Sequence, residues 1–446
     1  LRTQLGRIAE QVSSATVGSA TVACYEARHR DDSSSVPSYR AAFGGQLALV
    51  DMASSPTVAW PQDLRIYLRW RALAAPPADY QTWVSLLDDE GHTWTRVESL
   101  VRNEVNFPTS AWAPGEWTDT GYALDLPAGI PPGRYNVEVS VYDTDGSARL
   151  AATDQLGSFL GTRVPVGEVA VRHPVESPDI AELDIGERLG ISAGDLRLIG
   201  MSSVSEQVLS GDSLSFDLFW QAEDVPKSDY RVRMRLTDSR HEMGLEFVAP
   251  LSPYPTSRWK PGDRFQAHYD LQVLPSVSPG DWQVMLNVVD AKGTPLWEED
   301  LALATLEVVA RERGFVLPAD IPHQTDITFG ERIHLRGYGV AQETVSAGES
   351  IPLRFYWEAE GPTERDYTLF VHLIGPDGEL VGQVDRVPGN GAAPTSTWAE
   401  GQVIVDEVAL PTSPSAETGL HRITVGFYDA AYGERLSVSR ADGRDL

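Results

Sequence analysis

From Leu64 to Trp70 the chain alternates without a break: Leu64, Ile66, Leu68 and Trp70 form one apolar set, and Arg65, Tyr67 and Arg69 stand between them. A period of two with one apolar face is the mark of a half-buried antiparallel strand. After a turn containing Pro76 and Pro77 the pattern resumes, with Tyr80, Thr82, Val84 and Leu86 on one face and Gln81, Trp83 and Ser85 on the other. The device returns twice. Trp220 and Trp357 are each followed ten residues later by a tyrosine, Tyr230 and Tyr367, as Trp70 is by Tyr80, and each tyrosine follows an aspartate (Asp79, Asp229, Asp366). Pro-Thr-Ser-x-Trp recurs at 108–112, 255–259 and 394–398, and Gly133 to Asp143, Gly280 to Asp290 and Gly419 to Asp429 each span ten residues.

Landmarks at matched offsets in three copies make an internal repeat. About seven short strands per unit, punctuated by turns, predict an all-β protein of three tandem immunoglobulin/fibronectin-like antiparallel β-sandwich domains. The expected units are 40–174, 175–312 and 313–446, preceded by 1–39. Within 1–39, Leu1, Leu5, Ile8 and Val12 have helical spacing over residues 1–12, Ala15 to Tyr25 reads as a strand, and 31–38 as a polar linker. Phe43-Gly44 is expected to open a strand running through Leu47 and Leu49. Trp70, Trp220 and Trp357 continue the inward sets and are expected to fill the three cores. Pro131-Pro132-Gly133-Arg134-Tyr135 looks like a tyrosine corner; Trp282 and His421 replace Tyr135 in the other units, so its hydrogen bond is not expected to be general.

The repeat is out of phase with the units. Gln4-Leu5-Gly6 followed by Gly18-Ser19-Ala20-Thr21-Val22 resembles Gln155-Leu156-Gly157 followed by Gly167-Glu168-Val169-Ala170-Val171, the last strand of the first unit. Residues 1–39 are therefore expected to hold the closing strand of a preceding unit plus a linker, and the third unit to lack its own. A sandwich without its last strand exposes an edge that another chain can fill, which would join copies head-to-tail.

Charge removes some partners. With 36 basic and 64 acidic residues the net charge is −28, opposite in sign to what a polyanion requires, so neither nucleic acid nor an anionic membrane surface is an expected partner. No apolar run approaches the ~18 residues of a membrane span. The lone cysteine, Cys24, permits no internal disulfide, and no apolar signal core follows Leu1.

No catalytic constellation emerges. The nine histidines include no His-x-His or His-Glu-x-x-His pair, and His241-Glu242-Met243-Gly244 stops short of the zinc-protease motif. There is no nucleophile elbow, phosphate loop or dinucleotide fingerprint. Asp143, Asp145 and the run Asp88-Asp89-Glu90 have the oxygen chemistry calcium takes, but the corresponding turns of the other units lack the second carboxylate. The expectation is no enzyme, no metal and no cofactor. The outward faces differ more between units than the inward ones. Trp83, with Trp94 on the next strand, and Phe370 with His372 are the candidate glycan or partner contacts, because apolar groups on a solvated face mark contact sites. Arg231, Arg233 and Arg235 on the equivalent face of the second unit are expected to pair with acidic neighbours.

The combination of Trp–ten residues–Tyr, Pro-Thr-Ser-x-Trp, Pro-Pro-Gly-Arg-Tyr and Tyr-Asp-x-x-x-Gly-Glu-Arg-Leu resembles tandem repeats of large bacterial envelope proteins, as in the soluble tails of protein-mannosyltransferase-type membrane glycosyltransferases. The third unit carries it most fully, in Gly330-Glu331-Arg332-Ile333, Asp366 to Leu373, Pro376-Asp377-Gly378, Tyr428-Asp429 and Gly433-Glu434-Arg435-Leu436. The resemblance implies an extracytoplasmic accessory module of the cell envelope or exterior, whose partners are other copies of itself, envelope proteins or glycans. It does not bring transferase activity, since the membrane helices and acidic catalytic loop of that family have no counterpart here.

Overall fold

The structure, a computed structural model, describes residues 9–17, 20–27, 38–103, 106–144, 149–238, 243–430 and 433–440. Residues 1–38 and 39–446 form two separate compact units. In the first, Ala9–Val17 pairs antiparallel with Ala20–Ala27 in a hairpin. The helix expected over 1–12 is therefore wrong for its described part: residues 9–12 are strand. The run Val12-Ser13-Ser14-Ala15-Thr16-Val17 is rich in β-branched and small residues, which favour a pleated ladder over a helix turn.

The second unit is all-β and is built from three pairs of sheets. The first sandwich sets the order Thr57–Val58, Val164–Val171, Gly133–Asp143, Tyr80–Leu87, Thr93–Leu100 against a sheet whose last three strands are Leu47–Ser54, Leu64–Ala72 and Trp117–Leu124. The second sandwich repeats this with Gln207–Leu209, Leu301–Val309, Gly280–Val289, Arg231–Asp238 and Met243–Pro250 against Glu187–Ala193, Leu196–Met201, Ser213–Ala222 and Arg264–Gln272. Among the described residues the third sets Leu380–Arg386, Tyr367–Ile374 and Arg422–Asp429 against Val403–Pro411, Ser350–Ala359, Ile333–Val340, His323–Phe329 and Val438–Arg440. Phe43 does not run on into Leu47. Gly44 and Gly45, both at positive φ, lead with Gln46 through a three-residue loop that turns Ala41–Phe43 back onto Leu47–Ser54, and glycine takes such backbone angles without strain. Among the described residues no helix is long and apolar enough to cross a membrane.

Trp70, Trp220 and Trp357 are all fully buried. The recurrent Pro-Thr-Ser-x-Trp has a structural cause. In each sandwich it forms a single 3-10 turn whose buried threonine hydroxyl accepts the backbone N–H of the strand-opening tyrosine: Thr109 from Tyr80 at 2.9 Å, Thr256 from Tyr230 at 2.9 Å and Thr395 from Tyr367 at 3.0 Å. The preceding aspartate accepts the serine N–H in return, at 3.2, 3.0 and 3.1 Å for Asp79, Asp229 and Asp366. The tryptophan indole then donates to a carbonyl five residues upstream, Phe107, Tyr254 or Ala393. The motif pins a long crossover to the edge of the core, so buried backbone groups that would be orphaned there find partners.

The corner bond is more general than expected. Tyr135 Oη donates to Pro131 O at 2.7 Å, and Trp282 Nε1 makes the same four-residue reach to Ser278 O at 2.9 Å. An indole N–H substitutes for a phenol because the geometry needs only a donor at the tip of an aromatic ring. In the third sandwich His421 Nδ1 reaches only Gly419 O, at 3.1 Å.

Candidate interaction surfaces

The aromatic residues singled out from the sequence do not make one exposed platform. Trp83 does face outward, but its ring lies between Tyr142, 4.2 Å away, and the Arg96 guanidinium, 3.9 Å from the ring centre. Trp94 belongs to the core. It is the extra residue of a β-bulge, with Thr95 opposite Leu86 and Thr93 opposite Leu87, and the bulge turns its side chain inward. There it meets Tyr135 edge-on at 6.1 Å, and its Nε1 donates to Asp88 Oδ2 at 2.9 Å. The two indoles thus sit on opposite faces of one sheet. Asp88 also accepts the N–H groups of Glu90 and His92, so this carboxylate caps its own turn and is not an open calcium ligand. Asp145 and His241-Glu242 lie outside the described residues.

Phe370 and His372 face outward from Tyr367–Ile374 yet are buried, because the first sandwich covers them. Phe159 stands edge-on to His372 at 6.0 Å and to Tyr428 at 4.7 Å. The Arg435 guanidinium lies over Phe370 at 4.6 Å and Phe159 at 5.6 Å. These two residues make their contacts within the chain. Under them lies a carboxylate that the sequence did not reveal. The Asp385 side chain is 3% exposed, Tyr428 stands beside it, and His372 Nε2 is 3.9 Å away. Burial pushes the Asp385 carboxyl up to about 7 and the His372 imidazole down to about 4, the latter helped by the Arg435 charge. Two of the three arginines of the second unit pair as expected: Arg233 and Arg235 share Asp300 at 3.2 Å each, and Arg235 also meets Glu246 at 2.7 Å, while Arg231 is exposed.

The first and second sandwiches meet at another seam. The rings of His92 and His268 stack 3.4 Å apart and 16° from parallel. His268 Nδ1 is 2.9 Å from Asp217 and Nε2 is 3.3 Å from Asp270. Donor atoms of His92, Asp217 and His268 fall within 4.8 Å of one another. Near-parallel rings, however, set their nitrogens side by side instead of aiming both at one ion, so the arrangement holds protons better than a metal.

Among the described residues the third sandwich has an unpaired sheet edge. Gly133 to Val139 pairs with Val164–Val171, and Gly280 to Leu286 pairs with Leu301–Val309. In the equivalent stretch, 419–425, residues 422–425 pair on one side only and 419–421 on neither, among the described residues. The core shows the vacancy: Ile423 is 36% exposed, whereas its counterparts Val137 and Val284 are 0% and 1% exposed. Leu420 is exposed beside it.

The fold defines the class: a protein of tandem immunoglobulin-like β-sandwiches. No protein-family model matches the chain, and no curated protein does. Among solved structures, a marsupial T cell receptor chain aligns over 90% of this chain and 98% of its own, at 11% identity and a TM-score of 0.17. A putative membrane anchored protein from Corynebacterium diphtheriae aligns over 98% of this chain and 92% of its own, at 11% identity and a TM-score of 0.16. At such scores the likeness carries no argument, and the assignment rests on the strand pairing itself.

Proposed function

We propose that the chain is a non-enzymatic, extracytoplasmic structural or interaction module that joins its neighbours by strand addition at the third sandwich. The observation that carries this is the open edge at 419–425 over a partly uncovered core. An added strand would supply the missing ladder and cover Ile423, and main-chain pairing with alternate side chains in pockets is an established mode of recognition. The closing strands set the specification for the donor. They turn Val164, Val166, Val169 and Val171, or Leu301, Leu303, Leu306 and Val308, toward the core, with a bulge between the pairs. Ala15, Val17, Ala20 and Val22 have the same spacing. A second copy is therefore the donor, in a head-to-tail contact that can propagate. The hairpin must open to donate, which costs little, since an isolated two-stranded hairpin is marginally stable. The resemblance to envelope repeats supports the extracytoplasmic setting. The test is to delete residues 1–25 and follow assembly by light scattering. Monomers that bind an added 15–25 peptide are expected; an assembly that survives the deletion, or a full chain that never associates, overturns the reading.

A second reading, glycan binding, is favoured by a different pair from the one expected. Tyr67 and Trp117, 47% and 44% exposed, share the outward face of Leu64–Ala72 and Trp117–Leu124, with the Arg69–Asp119 ion pair between them. Exposed aromatic faces beside charged groups suit sugar stacking. Glycan-array binding abolished by Trp117→Ala supports it, and the absence of any array signal ends it.

A further inference from the structure

We propose that the stacked pair His92–His268 is a proton-operated latch between the first and second sandwiches, closed while the two rings carry one positive charge and released when both carry one. The geometry assigns the single charge. Both nitrogens of His268 face carboxylates, Asp217 on Ser213–Ala222 and Asp270 on its own strand, so both hold protons and the ring is an imidazolium. Ser215 Oγ in turn donates to Asp270 and fixes that carboxylate. These neighbours hold the His268 ring cationic up to about 9.

His92 has no such support. The nearest carboxylate on its own element, Asp88, is taken by the backbone N–H of Glu90, that of His92 itself, and the Trp94 indole. Of the other acids of that turn, Asp89 and Glu90, the Glu90 carboxyl is held above its ordinary value by burial and by the charges of Asp88 and Asp89. Facing His92 from the second sandwich are Asp217, Asp270 and the His268 cation; burial and that cation hold the His92 ring below its ordinary value. A neutral aromatic face over a cation is attractive, whereas two cations at ring-stacking distance repel. The second proton is thus taken up by a state in which the rings have parted. The backbone bond from Gln266 N to Gly129 O, 2.8 Å, spans the same seam and reports on it.

The experiment is amide exchange at Gln266 across a falling pH series, corrected for intrinsic exchange, in the wild type and in His92→Phe. Phenylalanine keeps a flat ring over His268 and takes no proton. In the wild type, protection at Gln266 is expected to fall about tenfold per pH unit once His92 begins to bind its proton, because the open state holds one proton more. The core strand Arg231–Asp238 stays protected over that range, which separates seam opening from unfolding. The Phe variant is expected to show no such fall. A wild-type seam whose protection does not change with pH overturns the proposal by itself, and so does a Phe variant that opens in step with the wild type.

Discussion

Replacing Asp385 by Asn removes a buried carboxyl from under the contact between the first and third sandwiches and keeps its shape. The Asp385 side chain is 3% exposed, so ionising it inside the fold is costly even with Tyr428 and the Arg435 charge nearby, and its titration moves from an ordinary 3.8 to about 7. The folded state then binds a proton the unfolded chain has released. This contribution to stability is complete below the unfolded value and is lost as pH rises through the folded one. A shift of roughly three pH units corresponds to about 4 kcal/mol between pH of about 4 and about 8. His372, held down to about 4, acts in the opposite sense: its contribution is present above its unfolded value and lost as pH falls. The two slopes oppose each other in the wild type up to the ordinary histidine value of 6.5, and above it only the carboxyl slope remains. In Asp385→Asn only the histidine slope remains, so the variant gains on the wild type as pH rises, by about 4 kcal/mol at the alkaline end. Chemical denaturation over this range, read through amide exchange in Tyr367–Ile374, gives the difference. Parallel pH profiles for the two proteins would refute the reasoning.

Two further substitutions test the repeat. Trp357→Ala should cost ~3–5 kcal/mol and unfold the third sandwich while core amides of the other two stay protected by hydrogen exchange; loss of all three together would contradict separate cores. Trp70 donates its indole N–H to Thr120 at 3.0 Å, but the residue matching Thr120 in the second sandwich is Ala267, opposite Leu218, so the Trp220 indole meets no such hydroxyl there. Ala267→Ser should therefore raise stability by about 1 kcal/mol, seen as a higher denaturation midpoint, and a lower midpoint would show that the indole cannot reach the new hydroxyl.

The interior of this protein was legible in its sequence and the exterior was not, for a physical reason. Period-two alternation reports which side chains leave water, so the inward sets around Trp70, Trp220 and Trp357 could be read directly. Trp94 escaped because a bulge adds one residue without altering the local pattern: Thr93-Trp94-Thr95 alternates alike whichever face the indole takes. Phe370 and His372 were read outward, correctly, but no local signal says that Phe159 covers them. Asp385 and the His92–His268 stack are products of packing between distant segments, and the nine histidines gave no reason to join those two. The Pro-Thr-Ser-x-Trp motif was plain, while its task of pinning the crossover to the strand-opening tyrosine needed coordinates.

The open edge of the third sandwich differs from the other sheet edges in how it is guarded. Edge strands invite pairing with foreign strands, and soluble proteins blunt them with charge, proline or bulges. In the first sandwich Thr93–Leu100 carries Arg96 and Glu98 and is bulged at Trp94. In the second, Met243–Pro250 carries Glu246, ends in proline and is bulged where Thr237 meets Met243. Arg422–Asp429 has Arg422 at its start, then Ile423, Thr424, Val425 and Gly426, with no proline and no bulge against its one partner. Exposed Leu420 precedes it, and Ile423 is uncovered where the first two sandwiches bury valine. The strand addition proposed above would use this apolar, flat edge. The consequence can be measured: Ile423→Lys leaves the intramolecular ladder with Tyr367–Ile374 intact but sets a charge where the added strand would pack. Assembly should be lost without loss of fold. Lysine that leaves association unchanged would place the contact elsewhere on the molecule.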